Sequence, residues 1–260
     1  MERIFEGKTF LITGSGKGIG SAIALDAGRR GANVIVHYHS SEQNAQEVFK
    51  AVNSTGCRCV LVKADLSLPQ EIQFLCNEAQ KAFGGVDVLV NNAALQYNVN
   101  FDGYTIEKFR KIFNINLRGY IMMSQQLLPY MLKKRWGRII NISSVHAKRP
   151  TNFDMGYCMT KGAIKMLTRE LALETARYNV TVNALELGYV DIGVKSGNPP
   201  EVISAEQLRV PPAFIFRETY PWGRYLTPDT IGPIVAFFAS EDAGWINGAS
   251  LRVDDAAMLL

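Results

Sequence analysis

Residues 9–20, TFLITGSGKGIG, decide the fold, because a short apolar run passes directly into a glycine-rich turn that opens a helix. The apolar run predicts a buried β-strand, and the pattern after the turn predicts a helix. Glycines at Gly14, Gly18 and Gly20 allow a tight turn and let a pyrophosphate approach the free N–H groups of the helix N-terminus. The stretch 13–20, TGSGKGIG, therefore predicts a nucleotide-binding strand–turn–helix unit.

Short β-type runs alternate with longer helical patterns along the whole chain. Most strand runs are continuous in Val, Ile and Leu, which is typical of a parallel sheet buried on both faces. The sequence predicts an α/β, doubly wound Rossmann fold, with a parallel sheet of about seven strands and helices on both faces. The predicted strands are 9–13, 33–39, 59–65, 86–93, 137–143, 180–186 and 250–254. The predicted helices are 18–31, 41–55, 68–83, 105–134 and 155–177.

The composition argues against several classes of protein. The formal net charge is +4, and the densest basic run, KKRWGR at 133–138, precedes an apolar strand, so we expect no nucleic-acid partner. No window approaches the ~18 uninterrupted apolar residues of a membrane span, and the N-terminal run is too short and charged for a signal peptide. The four cysteines lack zinc-ligand spacing and are interpreted as reduced structural thiols. We therefore expect a cytoplasmic protein with no metal and no membrane partner.

A tyrosine and a lysine stand four positions apart in YCMTK, at 157–161, within a predicted helix. Side chains with this spacing share one face of a helix. A free tyrosine, with a pKa near ~10, is a poor base. The ammonium of Lys161 is expected to lower the pKa of Tyr157, so that the phenol can exchange a proton with a substrate oxygen. Ser144 ends a predicted strand 13 residues earlier, as a candidate group to polarise a carbonyl or as a turn cap.

Three motifs resemble those of the short-chain dehydrogenase/reductase family. They are the glycine turn, read as T-G-x-x-x-G-x-G, the stretch DVLVNNAA at 87–94, and Y-x-x-x-K preceded by a strand-end serine. The resemblance covers essentially the whole chain and implies a single NAD(P)-binding domain over 1–260. It implies reversible hydride transfer between nicotinamide and a secondary alcohol or ketone.

The same resemblance implies roles for four candidate catalytic residues. Ser144 hydrogen-bonds the substrate oxygen, Tyr157 transfers the proton, and Lys161 reaches the nicotinamide ribose. Asn116, in NINLRG, matches the asparagine that holds a proton-relay water near the lysine, although a buried hydrogen-bonding amide is the alternative.

The second predicted strand ends in HYHSS, without a carboxylate before Glu42. An acidic residue there would bind a free ribose 2′-hydroxyl and repel a 2′-phosphate, and Lys17 supplies a nearby cation. NADP(H) is therefore favoured and NAD(H) is possible. Polar capping of the strand end is the alternative for the two histidines. The residues expected to bind the cofactor are Gly14, Ser15, Lys17, Gly18, Ile19, Gly20, His37, Tyr38, His39, Ser40, Asp65, Leu66, Asn92, Ala93, Tyr157, Lys161, Gly188 and Val190.

Polar residues beyond the predicted strand ends form the candidate wall of a substrate pocket. The stretches SSVH and NNAALQ look most like the sugar dehydrogenases of the family, which implies a sugar or polyol substrate. The adjacent Lys148 and Arg149 would suit an anionic substrate, or they are solvent-facing loop charges. The expected substrate-binding residues are Gln96, His146, Lys148, Arg149, Asn152 and Glu186. The irregular, proline-containing segment 193–225 is predicted to be a substrate-binding lid.

The chain departs from the family pattern after the sixth predicted strand. Leu187 replaces a proline, Ile192 replaces a threonine that helps to hold the cofactor, and Asp255 replaces a glycine. A reductase for 3-oxoacyl thioesters or other carbonyl compounds is one alternative function. A nucleotide-sensing binding protein without turnover is another, although the complete serine–tyrosine–lysine set argues against it.

The resemblance also implies an oligomer, namely a homotetramer, with a homodimer as the alternative. The helices predicted at 105–134 and 155–177 are expected to form part of its interface. Apolar residues on the second helix fit either that interface or the contact with the sheet.

Overall fold

One parallel sheet organises the part of the chain that the structure describes. The structure is a computed structural model that describes residues 2–151, 154–192, 226–256 and 258. Seven strands lie in the order β3-β2-β1-β4-β5-β6-β7. They are β1 (Thr9–Ile12), β2 (Asn33–Tyr38), β3 (Cys59–Lys63), β4 (Val88–Asn91), β5 (Gly137–Ser144), β6 (Val180–Leu187) and β7 (Ser250–Val253). The predicted doubly wound fold is confirmed.

Helices alternate with these strands along the chain. They are α1 (Gly18–Arg29), α2 (Glu42–Asn53), α3 (Pro69–Phe83), α4 (Ile106–Phe113), α5 (Gly119–Lys134), α6 (Met155–Thr175) and α7 (Pro228–Ala239). Within the described ranges, three short 3₁₀ turns occur at Phe101–Gly103, Val145–Ala147 and Ala176–Tyr178. None of the described helices combines the length and the apolar character needed to cross a membrane.

Two apolar cores, one on each face of the sheet, explain why the strands are continuously apolar. Successive side chains of a strand point to opposite faces. In β1, Phe10 and Ile12 belong to a core that includes residues of α1 and α7. Leu11, between them, belongs to the core on the other face, together with residues of α3 and α5. A helix layer on both faces therefore favours apolar side chains at successive positions of a central strand.

The prediction of one helix over 105–134 is wrong. The structure has α4, then a π-helical turn at Asn114–Arg118, and then α5. A π turn accommodates one extra residue and changes the direction of the side chains within it. Here the turn buries the amide of Asn116 against Leu95, which explains why the helical periodicity alone did not reveal the interruption.

The order of the strands creates a crevice at the carboxyl ends of β1 and β4. β1 pairs with β2 on one side and with β4 on the other, so the connections leave β1 in opposite directions. Ligands of doubly wound sheets bind at such a topological switch point. The predicted lid, 193–225, and Asn152 lie outside the described residues.

Candidate active site

The glycine turn that follows β1 has the shape expected of a pyrophosphate-binding loop. Gly14 and Gly18 have φ values of +64° and +58°, in the left-handed region that favours glycine. A Cβ atom on Gly20 would lie 2.5 Å from the carbonyl oxygen of Gly14. The turn therefore requires glycine at all three positions, and it leads directly into the N-terminus of α1, where free N–H groups suit an anion. These features fit a bound dinucleotide.

Residues at the end of β4 hold this turn in place. The side-chain amide of Asn92 donates to the carbonyl oxygens of Thr13 (2.8 Å) and Gly14 (3.2 Å). The Thr13 hydroxyl accepts from the backbone N–H groups of Asn92 (2.8 Å) and Ala93 (3.0 Å). The motif at 87–94 thus supports the turn across the crevice, and the importance of Thr13 was not predicted.

The side chains of His37 and Ser15, two residues expected to bind the cofactor, are hydrogen-bonded within the fold. The His37 ring is buried, its Nδ1 accepts from the N–H of Gly14 (2.9 Å), and its Nε2 lies 3.0 Å from the carbonyl oxygen of Ala64. The Ser15 hydroxyl donates to Ile12 and accepts from the N–H of His37. Both side chains are used within the fold. Capping, the alternative interpretation, is the observed role of His37.

The bonds of His37 also fix its protonation state. A carbonyl oxygen only accepts and Gly14 donates, so the neutral tautomer carries its proton on Nε2. Burial lowers the pKa of His37 to about 4, since the charged ring would lose its hydration. The ring is therefore a neutral link between the glycine turn and the end of β3.

Other predicted cofactor residues surround the outer end of β2. Lys17, His39 and Ser40 are exposed, while Tyr38 is buried beneath Gly16. His39 lies 3.6 Å from Asp65, measured between Nε2 and Oδ2. Leu66, the next residue, is buried.

The segment after β6 closes the crevice from the opposite side. Gly188 donates its N–H to Val253, and Val190 forms an isolated bridge with Leu226. The side chain of Ile192 lies 3.6 Å from the position that a Cβ atom on Gly18 would occupy. Ile192 is therefore placed over the glycine turn, as expected if it stands where the family has a threonine.

Asp154 positions Tyr157 at the start of α6. Its carboxylate caps the helix by accepting from the N–H of Tyr157 (2.9 Å). The same carboxylate accepts from the Tyr104 hydroxyl (3.1 Å) and from the N–H of Tyr97. One buried side chain thus ties the first turn of α6 to the segment after β4. The sequence analysis missed Asp154, although an aspartate three residues before a helical tyrosine is a capping signal.

Ser144 and Tyr157 meet at the carboxyl end of β5. The Ser144 hydroxyl accepts from the N–H of His146 (3.2 Å), and the Ser144 side chain interacts with Tyr157 so as to oppose the rise in the pKa of the phenol. Ser144 therefore caps the 3₁₀ turn, as one of the two interpretations expected, and its role in polarising a carbonyl stays a prediction. The rings of His146 and Tyr157 are in edge contact, with centroids 6.4 Å apart.

Lys161 lies beside Tyr157, but it does not lower the pKa of the phenol in this structure. Its ammonium nitrogen is 5.3 Å from the centre of the Tyr157 ring and donates to the carbonyl oxygen of Ile142 (2.7 Å). Burial raises the pKa of Tyr157 to about 12 against the opposing effect of its bond with Ser144. Burial also lowers the pKa of Lys161 to about 7. The expected electrostatic effect fails because desolvation dominates and the amine is only partly charged.

Asn116 is fully buried in the π turn. Its side-chain oxygen accepts from the N–H of Leu95 (2.7 Å), and its amide donates to the carbonyl oxygen of Leu95 (2.8 Å) and to Thr160 (3.3 Å). The side chain therefore fixes the segment after β4 against α6, as the alternative interpretation expected. The predicted proton-relay water at Asn116 is untested.

The predicted substrate residues fall into two groups. His146 is next to Tyr157, and its Nδ1 lies 2.9 Å from the carbonyl oxygen of Arg149. Nδ1 must donate to that oxygen, which leaves Nε2 as an acceptor in the neutral ring, and burial lowers the pKa of His146. Gln96 and Arg149 are exposed.

Glu186 and Lys148 form the second group, and the structure pairs them with each other. Glu186 is fully buried, with Lys165 Nζ 2.9 Å and Lys148 Nζ 3.4 Å from its carboxylate oxygens. Lys148 and Lys165 share this one carboxylate, Lys165 lies closer to it, and the anion-binding role of Lys148 stays a prediction. Lys165, one helical turn after Lys161, was missed because nothing in the sequence connects it with a strand 21 positions away.

A search for similar proteins identifies the family of the chain. The family model described as short chain dehydrogenase matches residues 8–201. The "Hydroxynaphthalene reductase-like protein Arp2" of Metarhizium guizhouense is 34% identical over 251 residues, covering 95% of this chain and 93% of that protein. The "3beta-hydroxysteroid dehydrogenase 1" of Eggerthella lenta is also 34% identical, covering 96% and 93%. The "Glucose 1-dehydrogenase 2" of Bacillus subtilis is 33% identical, covering 98% and 96%.

Solved structures give the same result. The acetoin dehydrogenase YohF of Salmonella typhimurium has a TM-score of 0.85 and 31% identity, covering 97% of this chain and 96% of that one. A mutant short-chain dehydrogenase/reductase of Serratia marcescens has a TM-score of 0.87 and 30% identity, covering 98% and 99%. The names of these proteins include a sugar, a steroid and a small hydroxyketone, so the similar proteins do not agree on one substrate.

Proposed function

The chain belongs to the short-chain dehydrogenase/reductase family, whose members are oxidoreductases acting on alcohol and ketone groups, and we propose that it interconverts a secondary alcohol and a ketone with NADP(H). The observation that carries this proposal is the meeting of Ser144, Tyr157 and Lys161 at the carboxyl end of β5, on the same edge of the sheet as the glycine turn and two strands from β1. These are the residues needed to move one proton on a substrate oxygen.

In the direction of reduction, the chain supplies the proton and the orientation. The Ser144 hydroxyl donates a hydrogen bond to the carbonyl oxygen and positions it against the Tyr157 hydroxyl. Tyr157 gives its proton to that oxygen and is left as a phenolate, with Lys161 Nζ 5.3 Å from the centre of its ring. A bound nicotinamide supplies the hydride that reaches the carbonyl carbon. Oxidation requires the reverse proton transfer, from the alcohol to a tyrosine that has first lost its proton.

The pKa values favour reduction at neutral pH. With the pKa of Tyr157 raised to about 12, the residue is a phenol at pH 7 and is ready to donate. Oxidation needs the phenolate. At pH values below the pKa, the phenolate fraction increases about tenfold for each unit by which the pH rises. We therefore expect oxidation, much more than reduction, to accelerate as the pH rises.

The choice of NADP(H) rests on charge at the outer end of β2. Lys17 and His39 are exposed there, and no carboxylate occurs between His37 and Ser41. A 2′-phosphate would meet the cation of Lys17, whereas a family member selective for NAD commonly places an acidic residue at this point. NAD(H) is the alternative that the test below distinguishes.

A polyhydroxylated substrate of the sugar or polyol class is supported by the groups next to Tyr157. The Nε2 atom of His146 is an acceptor for a hydroxyl group, and Gln96 is an exposed amide on the segment after β4. The similar Bacillus subtilis protein is named as a glucose dehydrogenase. Because Lys148 is paired with Glu186, we propose a neutral rather than an anionic polyol, with residues 193–225 as its lid.

Reduction of a ring ketone or another carbonyl compound is the second candidate. It is favoured by the two relatives at 34% identity, which are named as a hydroxynaphthalene reductase-like protein and a hydroxysteroid dehydrogenase. The tyrosines Tyr97 and Tyr104, whose rings are in edge contact near Asp154, would suit a flat substrate.

We propose that the chain assembles as a homotetramer, or as a homodimer, in the cytoplasm. Met159, Met166 and Leu173 are exposed and spaced seven residues apart, so they form an apolar stripe along α6. Between α5 and α6 lies a groove of about 670 Å³, lined by Leu128 and Leu132 among others. Exposed apolar surface of this kind is common at subunit interfaces.

The proposal is tested by titrating the purified protein with NADPH and with NADH, following tryptophan fluorescence. Turnover is then measured with glucose, neutral polyols, sugar acids and ring ketones. Tight NADPH binding, weak NADH binding and turnover of neutral polyols are expected. The variant Lys17→Ala should lose affinity for NADPH but not for NADH, since only NADPH carries the 2′-phosphate.

Each contrary outcome identifies the part that is wrong. Preference for NADH refutes the choice of cofactor, and turnover of ring ketones alone selects the second candidate. Binding without turnover across the panel, with Tyr157→Phe indistinguishable from the native chain, would instead indicate a nucleotide-sensing protein.

A further inference from the structure

Tyr120, in the first turn of α5, lies next to the proposed catalytic lysine. Its ring is fully buried, and its hydroxyl donates to the carbonyl oxygen of Ile142 (3.3 Å). The same oxygen accepts from Lys161 Nζ (2.7 Å). The ammonium nitrogen lies 5.7 Å from the centre of the Tyr120 ring and 5.3 Å from that of Tyr157. Two tyrosines therefore flank one lysine, and one carbonyl oxygen binds both the lysine and Tyr120.

We propose that Tyr120 is a positioning residue for Lys161. Its hydroxyl controls the strength of the hydrogen bond between the Lys161 ammonium and the carbonyl oxygen of Ile142. Its functional consequence rests on the proposed proton transfer by Tyr157. The effect of Tyr120 on the titration of Lys161 can be measured without any substrate.

The first argument is the scarcity of partners for a buried charge. Lys161 is 2% exposed, and no carboxylate of the described residues contributes to its pKa, which burial alone lowers. A buried ammonium is stable only if acceptors replace its lost hydration. The carbonyl oxygen of Ile142 is the acceptor observed here, and aromatic faces at these distances add a smaller attraction.

The second argument is competition for that acceptor. A carbonyl oxygen has two lone pairs, and each donor weakens the other because both withdraw charge from one atom. The Tyr120 hydroxyl therefore limits how strongly the carbonyl stabilises the protonated lysine. Without this hydroxyl, the carbonyl oxygen of Ile142 accepts only from the Lys161 ammonium, and the protonated form of Lys161 becomes more stable.

The neighbours of Lys161 leave few other groups that could control it. α5 presents Tyr120, α6 presents Tyr157, and β5 presents the Ile142 carbonyl and Ser143, whose hydroxyl donates to the Lys161 carbonyl oxygen. Among these, only the two tyrosines titrate. The pKa of Tyr120 is raised well above its usual value, by burial and then by Tyr157, so Tyr120 stays a neutral phenol.

The hydroxyl, rather than the ring, is the part that packing does not explain. A phenylalanine would fill the same apolar space, whereas a buried hydroxyl costs free energy unless it is hydrogen-bonded. The variant Tyr120→Phe therefore removes only the competing donor. Tyr130→Phe is the matched control. It makes the same chemical change on the same helix, but Tyr130 lies next to Lys134 and Gly85 and not next to Lys161.

The experiment follows the titration of Lys161 by NMR in protein labelled with ¹³C at the lysine ε-carbon. Lys161→Met identifies the signal. In the native chain we expect a midpoint near the pKa of about 7. In Tyr120→Phe the midpoint should rise by about half a unit, as expected from strengthening one hydrogen bond, and in Tyr130→Phe it should not change. Circular dichroism and NADPH binding check that each variant is folded.

An unchanged or lower midpoint in a folded Tyr120→Phe protein overturns the proposal, and so does an equal rise in the Tyr130→Phe control. A native midpoint near that of an ordinary lysine also overturns it, because the ammonium would then be solvated. The proposed enzymatic function fails separately, through absence of dinucleotide binding or turnover. If turnover is found, the pH profile of kcat/KM should shift in Tyr120→Phe in the same direction as the NMR midpoint.

Discussion

Replacing Lys161 with methionine should stabilise the protein while it abolishes turnover. Burial lowers the pKa of this lysine from 10.5 to about 7, and each unit of pKa corresponds to ~1.4 kcal/mol. Keeping the lysine in place of an apolar side chain thus costs on the order of 4 kcal/mol at pH 7. The variant also loses the hydrogen bond to Ile142, which reduces its gain in stability by about 1 kcal/mol. We expect Lys161→Met to raise the free energy of unfolding by roughly 2–3 kcal/mol.

The pH dependence gives this prediction a signature that improved packing cannot imitate. Between pH 7 and 10.5 the unfolded lysine binds its proton while the folded one does not. The native chain therefore gains stability as the pH rises through this window, by up to ~1.4 kcal/mol per pH unit. The methionine variant lacks this gain. Its advantage should be largest at or below pH 7 and should shrink as the pH approaches 9.

Urea unfolding at pH 7, 8 and 9, followed by tryptophan fluorescence, measures the difference. Lys165→Met, one helical turn along α6, is the control: its lysine pairs with the buried Glu186, and its loss leaves a poorly compensated carboxylate. We expect that control to destabilise the protein. A stability difference for Lys161→Met that does not vary with pH, or a less stable variant at pH 7, would refute the reasoning.

Three further perturbations test the supports of the site. Gly20→Ala should abolish dinucleotide binding, because its Cβ would lie 2.5 Å from the Gly14 carbonyl oxygen; retained affinity in a fluorescence titration would contradict this. Asp154→Ala should cost about 1 kcal/mol through loss of the helix cap and should reduce turnover by misplacing Tyr157, as urea unfolding and initial rates can show. Between pH 6.5 and 4 the native chain should lose stability as the pH falls, because only the unfolded histidine is protonated. His37→Asn should remove this dependence of the free energy of unfolding on pH, and the same dependence in both proteins would exclude a buried neutral His37.

The sequence predicts the fold and the central site because both depend on local patterns. Continuous apolar runs predict the parallel sheet, and the carboxyl ends of its strands bring the glycine turn and Ser144 to one edge. The helical spacing of Tyr157 and Lys161 places them on one face of α6. These inferences need only the periods of strands and helices.

Features that depend on contacts between distant segments could not be predicted in this way. His37 is polar and follows a strand, but only the fold shows that its ring binds Gly14 and Ala64. Lys148 resembles a free cation until Glu186 is found beside it. The pKa of Tyr157 was expected to fall, because the sequence shows a neighbouring charge but not the depth of burial that opposes it.

The π turn at Asn114–Arg118 makes the structure of this segment more sensitive to the deletion of a residue than to the substitution of side chains. Its wider winding holds one residue more than an α-helical turn of the same rise. Deleting a single residue within it would let α4 and α5 join as one regular helix. Everything before the deletion would then rotate by about 100° around the helix axis, carrying the amide of Asn116 away from Leu95. Evolution can exchange many side chains along these helices, but it can change their residue count here only by rebuilding the adjoining site.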